Sequence, residues 1–135
     1  MNIIVVDTNI VFSAIHSKNS LTREKLFSLP NQLYSCNFLF VEIFKHKERI
    51  FKKSSATDDE IYDYLEKIIH KIHFFNEELI STESYFKSYH LVKDIDIKDI
   101  SFVALNIELK GKLWTRDTIL KDGLIKKGYL DFFEI

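Results

Sequence analysis

Chain breakers and cross-links are nearly absent from this protein. Its 135 residues hold one proline and three glycines, too few for a flexible linker. The single cysteine, Cys36, excludes an internal disulfide. It has no metal-ligand spacing around it and reads as a small buried residue. The only close histidine pair, His70 and His73, lacks a third soft ligand, so zinc chemistry is not indicated. No run approaches the ~18 apolar residues of a membrane span and no secretory leader is legible, so a cytoplasmic chain with no membrane partner is expected. A formal net charge of −1 excludes a polycationic nucleic-acid coat. It permits an enzyme that meets nucleic acid through a local basic face beside an acidic centre. Phosphate-cradling glycine loops and a Gly-x-Ser-x-Gly elbow are missing. Ser13 and Ser17 have no evident histidine base, so triad chemistry is unsupported.

What is present is core material. Apolar residues make up 46% of the chain and aromatics 14%, enough for one domain spanning residues 1–135. Ile3 to Val6 form a β-branched run, read as a buried strand over residues 2–6. Helices are expected from Asn9 to His16, capped by Thr8 or Asn9, and from Ser20 to Ser28, with Leu21, Lys25 and Leu29 on one face. A strand over Leu33 to Cys36 precedes one long helix running from Phe38 through Phe51. Thr57-Asp58-Asp59-Glu60 is a capping box for a helix carrying Ile61, Leu65, Ile68, Ile69 and Ile72. Phe74-Phe75 reads as a short strand. Helices follow over Ser84 to Leu91 and Lys98 to Leu109, the latter closed by Gly111. A strand over Lys112 to Thr115, a helix over Thr118 to Lys127 with Gly128 as C-cap, and a terminal strand over Leu130 to Ile135 complete the chain. Alternating strands and helices imply a parallel sheet with helices on both faces.

Acids fall at informative places on this frame. Asp7 follows the first strand and Asp117 the strand near the C-terminus, and ligands of open α/β sheets bind beyond such strand ends. Glu42 sits in Phe38-Leu39-Phe40-Val41-Glu42-Ile43-Phe44, where a carboxylate is costly unless paired. His46, one turn on, is a candidate partner. Asp99, with Asp94 and Asp96 just upstream, precedes the apolar helix Ile100 to Asn106. A helix N-terminus favours one carboxylate, but three exceed what capping needs. Clustered hard oxygen donors suit Mg²⁺ or Mn²⁺. Lys45, Lys47, Arg49, Lys52 and Lys53 extend the helix of Glu42, and Arg116 adjoins Asp117. These cations suit RNA phosphates, or equally a solvated helix face and a local salt bridge.

Val5-Val6-Asp7-Thr8-Asn9, Glu42, Asp99 with Phe102-Val103-Ala104-Leu105, and Leu113-Trp114-Thr115-Arg116-Asp117 occur in an order that resembles the PIN-domain nucleases. That group includes the VapC-type toxins of bacterial toxin–antitoxin pairs. The resemblance runs over nearly the whole chain, though Lys52 to Tyr89 carries no matching motif. It implies a three-layer α/β/α fold with a central parallel sheet of four to five strands. It implies an endoribonuclease dependent on Mg²⁺ or Mn²⁺, with Asp7, Glu42, Asp99 and Asp117 as its catalytic acids and metal ligands. Asp96 rivals Asp99 for the third position. Asn9 matches the residue that steadies the first acid, and Thr115 the hydroxyl two before the fourth. RNA, an antitoxin protein and a second copy of the chain are the implied partners.

Three other readings of the residues stand beside this one. The first is a PIN-like module that binds RNA or protein without catalysis. The second is a different Mg²⁺-dependent phosphotransfer enzyme, although Asp7-Thr8-Asn9 lacks the second acid of the Asp-x-Asp haloacid dehalogenase pattern. The third is an interaction domain whose acids are caps and surface charges, a reading that explains Glu42 worst.

Overall fold

The structure, a computed structural model, describes residues 2–16, 21–53 and 56–134. Strand β1 (Ile3–Val6) leads into α1 (Thr8–His16), and α2 (Leu21–Ser28) into β2 (Gln32–Cys36). Next come α3 (Phe38–Lys45), α4 (Lys47–Lys53), α5 (Asp58–Lys71) and β3 (Ile72–Phe75). The chain finishes with α6 (Thr82–Val92), α7 (Ile100–Leu109), β4 (Lys112–Trp114) and α8 (Thr118–Lys126). The four strands are parallel in the order β3-β2-β1-β4, so β1 is flanked on both sides.

That position explains the unbroken apolar run of β1. Successive side chains of a strand point to opposite faces, and here both faces are covered. Ile4 and Val6 join one core with Ile10, Leu26, Leu39, Ile50, Ile61 and Trp114, from β4 and α1 to α5. Val5 joins the other with Val92, Phe102, Leu105, Leu113 and Leu120, mainly from α6 to α8. The result is the three-layer α/β/α arrangement with a four-stranded sheet. Cys36 is fully buried in the second core, as its surroundings in sequence suggested, and burial pushes its thiol pKa well above the ordinary range.

Several local expectations need correction. The long helix after Asn37 is two helices, α3 and α4, broken at His46. No proline or glycine marks the break; there the His46 ring packs edge-on against Phe12 of α1, with centroids 6.0 Å apart. The capping box at Thr57 and Glu60 forms as expected, but Ile69 is exposed and Ile72 has already entered β3. In α2 the buried residues are Thr22, Arg23 and Leu26, not Leu21, Lys25 and Leu29. The expected start of that helix, Ser20, lies outside the described residues, as does Ser17. Arg23 is buried because its guanidinium donates to the carbonyls of Ala14 and Ile15 at the end of α1 and lies 3.6 Å from the centre of the Tyr64 ring.

The expected terminal strand reduces to a single parallel bridge between Leu113 and Phe132. β4 is only three residues long, so its free edge offers the tail little ladder to extend. Gly128 follows α8 at φ 87°, a glycine C-cap as expected. Gly111 does not close α7; Lys110 takes the left-handed conformation there, at φ 53°. Gly111 is needed for space. A Cβ on it would stand 2.9 Å from the Ile3 carbonyl oxygen and 3.0 Å from Asn106 Oδ1. Because the Ile3 oxygen is backbone in the central strand, Gly111→Ala is expected to cost about 1–3 kcal/mol as overpacking. Denaturant unfolding would show this as a lower midpoint, and an unchanged midpoint would mean the approach is looser than described.

Candidate functional site

The four acids singled out in the sequence line one cavity of about 540 Å³ at the carboxyl ends of the strands. Asp7 reaches it from β1, Glu42 from α3, Asp99 from the turn before α7, and Asp117 from the start of α8. Asp96, Asn9 and Lys45 line it too, as do Arg49, Lys98, Phe12, Phe38 and His46. Oxygens of Asp96, Asp99 and Asp117 all lie within 4.8 Å of one another. Both rivals for the third acidic position therefore belong to the cluster.

Each acid is held differently. Asp7 is buried, and its Oδ1 accepts the Ile10 backbone N–H at 3.1 Å. Asp7 itself, rather than Thr8 or Asn9, thus satisfies the first turn of α1. Its backbone N–H donates to the Trp114 carbonyl at 3.4 Å, which ties the exits of β1 and β4 together. The Thr115 hydroxyl bonds the Asp7 carboxylate and accepts the Asp117 N–H at 3.1 Å, so one side chain links both strand-end acids. Asp117 caps α8 by accepting the Leu120 N–H at 3.0 Å. Asp96 accepts the Lys98 N–H in the turn Ile97–Asp99. Asp99 precedes α7 but makes no capping hydrogen bond. The capping reading therefore does not account for its carboxylate. Asp94 turns away to pair with Lys127.

Glu42 is more solvated than its apolar neighbours suggested. Val41 and Phe44 are mostly exposed, so the stripe is only partly buried. The Glu42 carboxylate stands 3.5 Å from His46 Nε2. It faces the cavity and has the helical partner proposed for it, outside the tight group of three aspartates.

The electrostatics follow from burial and crowding. Burial raises the Asp7 pKa to about 6, aided by the charge of Asp117 and opposed by the bonds from Thr115 and Ile10. Burial also raises Asp99 to about 7, and Asp96, Asp7 and Asp117 add to the rise. Like charges gathered in a partly dry pocket disfavour full ionisation. The clustered donors are carboxylate oxygens, with no cysteine among the described lining residues. A hard divalent cation such as Mg²⁺ or Mn²⁺ fits them, with Asp96, Asp99 and Asp117 as the closest-set ligands and Asp7 adjoining.

The predicted cations divide. Lys45 and Arg49 line the cavity, whereas Lys47 and Arg116 do not. Arg116 lines a neighbouring groove with Trp114 and Phe133, and its guanidinium donates to the Ser13 hydroxyl.

A model of the PIN domain matches residues 5–128. The chain belongs to the PIN-domain family. The fold of this PIN domain is similar to that of a chain in the crystal structure of VapBC2 from Rickettsia felis bound to a DNA fragment from their promoter. The TM-score is 0.68 and the identity 16%, over 89% of this chain and 92% of that one. At that identity the likeness is one of fold. No curated protein matches this PIN domain in sequence.

Four cavity-lining residues escaped the reading of the sequence. Phe12, Phe38 and Lys98 were read only as parts of helices, and His46 appeared only as a partner for Glu42. Helical spacing offered one usable signal: Phe12 lies three residues after Asn9, partly buried against the core while it lines the cavity.

The raised carboxyls set a pH dependence. Asp7 and Asp99 bind protons more tightly in the folded chain than in the unfolded one. Their contribution is fully present below the unfolded value near 4 and is lost as the pH rises through about 6 and 7. Without divalent ions, Asp99→Asn should gain stability relative to the unmutated chain between about pH 4 and pH 8. Denaturant unfolding in chelator at the two ends of that range measures the gain, and a pH-independent difference would contradict the assigned crowding.

Proposed function

We propose that this PIN domain is an endoribonuclease dependent on Mg²⁺ or Mn²⁺ that hydrolyses RNA phosphodiester bonds. The observation that carries the reading is the convergence of Asp96, Asp99 and Asp117 within 4.8 Å, in a cavity that also receives Asp7 and Glu42. Burial and the neighbouring charges of Asp96, Asp7 and Asp117 raise the proton affinity of Asp99, an arrangement that a cation relieves. Asp7, Asp99 and Asp117, with Asp96, would hold the ion, and Glu42 stands at the cavity wall beside them. When bound, the ion would neutralise charge developing on the phosphodiester and lower the pKa of the attacking water.

The chain's own residues supply the rest. Thr115 and the Ile10 N–H fix the Asp7 carboxylate before substrate arrives, so no reorganisation is needed. Asn9 sits beside Asp7 at the mouth. Lys45 and Arg49 place positive charge on the wall nearest Glu42, where they attract and orient phosphates without reading bases. Lys47 and Arg116, outside the cavity, would act at longer range. A purely structural role for the acids does not account for the unused Asp99 carboxylate.

The likeness to VapBC2 supports the toxin branch of the resemblance, with an antitoxin protein as partner. A homodimer and a place in the cytoplasm belong to the same reading; no described helix is long and apolar enough to cross a membrane.

Asp7→Asn preserves shape and should abolish Mn²⁺-dependent cleavage across a broad RNA panel while leaving the far-ultraviolet circular dichroism unchanged. Mn²⁺ at about 100 times its dissociation constant should stabilise the unmutated chain by about 2.7 kcal/mol and the variant by clearly less. Wild-type cleavage by Asp7→Asn, or equal stabilisation of both chains, would overturn the reading.

A further inference from the structure

Part of the acidic cavity is lined by residues that are not acidic, Asn9, Phe12, His46 and Arg49 among them. Along α1 the buried residues are Ile10, Val11, Ala14 and Ile15. The opposite side of the helix carries Asn9, Phe12 and His16, one turn apart. Asn9 and Phe12 line the cavity, and His16 ends the helix. At 1.5 Å per residue, Asn9 to His16 spans about 10 Å. The facing wall comes from the break between α3 and α4. There His46 meets Phe12 edge-on, and Arg49 lines the cavity. Lys53 lies one turn beyond Arg49 on α4. Burial, then the charges of Lys53 and Arg49, hold the His16 pKa below its ordinary value, so these two cations stand near the end of α1.

These cations differ from five other lysines of the surface. Lys67, Lys87, Lys112, Lys121 and Lys127 are each paired with an acid. Among the described residues, the side chains of Lys45, Arg49 and Lys53 form no ion pair. Unpaired cations beside a part-exposed ring are the elements of a single-strand nucleic-acid site: backbone held by charge, a base held by stacking.

We propose that Phe12 and His46 form a base-stacking platform next to the acids, and that Arg49, Lys53 and His16 carry the phosphates of the strand leaving it. The platform makes α1 and the α3–α4 break the part of the molecule that selects the nucleotide flanking the reacting phosphate. A base inside a duplex cannot reach such a platform without being unstacked. This inference rests on the endoribonuclease reading and deepens it.

The test scans a single abasic position along a labelled single-stranded RNA dodecamer. It is read as affinity in the Asp7→Asn chain, which should leave the RNA intact, and as cleavage rate in the unmutated chain. One position should stand out, with roughly tenfold loss when its base is missing. Phe12→Leu should show that loss with intact RNA and no further loss at the abasic position, while Phe12→Tyr, which keeps the ring, should behave as the parent. Arg49→Gln with Lys53→Gln should lower the salt slope of binding by about 0.7 per lost phosphate contact and leave the abasic effect in place. RNA that is bound or cleaved with no position-specific effect, or an effect that survives in Phe12→Leu, would overturn the platform and leave the nuclease reading standing. If neither binding nor cleavage of RNA is found, both fall.

Discussion

The structure turns on one carboxylate at the end of a strand with no exposed face. β1 is paired on both edges and covered on both sides, and Asp7 emerges from it still buried. A charge there is tolerable only because its surroundings are built for it. The Ile10 N–H, the Thr115 hydroxyl and the tie from its own N–H to Trp114 fix Asp7 in position and orientation. The same Thr115 oxygen accepts the N–H of Asp117. The two ends of the chain are therefore joined at the point where their acids meet, and moving either strand exit would separate them.

Around that joint, the fold spends stability on crowding. Raised proton affinity in Asp7 and Asp99 means that the folded chain holds ionised carboxylates less comfortably than water does. A structural cap would have the opposite character, with hydrogen bonds that favour the charged form. Asp117 and Asp96 do cap helical turns, so those two serve local structure and the cluster together. Asp99 does only the latter, and its carboxylate has no capping bond to offset the crowding.

The opposite wall has its own logic. At the α3–α4 break His46 meets Phe12, and this aromatic pair lines the cavity of the acids together with Lys45 and Arg49. Among the described residues that line the cavity, the one ion pair is the contact of Glu42 with His46. Separated charges of this kind leave the acids and the cations of the cavity free of a network of internal salt bridges.

Much of this was legible before folding. The apolar run before Asp7, the capping box at Thr57, the glycine after α8 and the order of the acids were readable because each depends on neighbours in sequence. The helix break at His46 was not, since no proline or glycine marks it and the ring His46 meets there, Phe12, lies more than thirty residues earlier. Arg23 was missed for the same reason: its partners are carbonyls of another helix. Gly111 was read as a cap, although what demands glycine there is the close approach of Ile3 from the central strand. The last residues were expected to add a strand and instead form one bridge, since the short β4 limits what can pair with it.

The sequence by itself determined the strand-and-helix rhythm, the burial of β1 and the delivery of acids to strand and helix ends, because hydrophobic period and capping chemistry act over a few residues. Only the tertiary structure decided that Asp96 and Asp99 both join Asp117, that Glu42 stands off with His46, and that Arg49 faces the cavity while Arg116 does not. Those choices depend on distances between elements far apart in the chain, and such distances are set by packing on the two faces of the sheet.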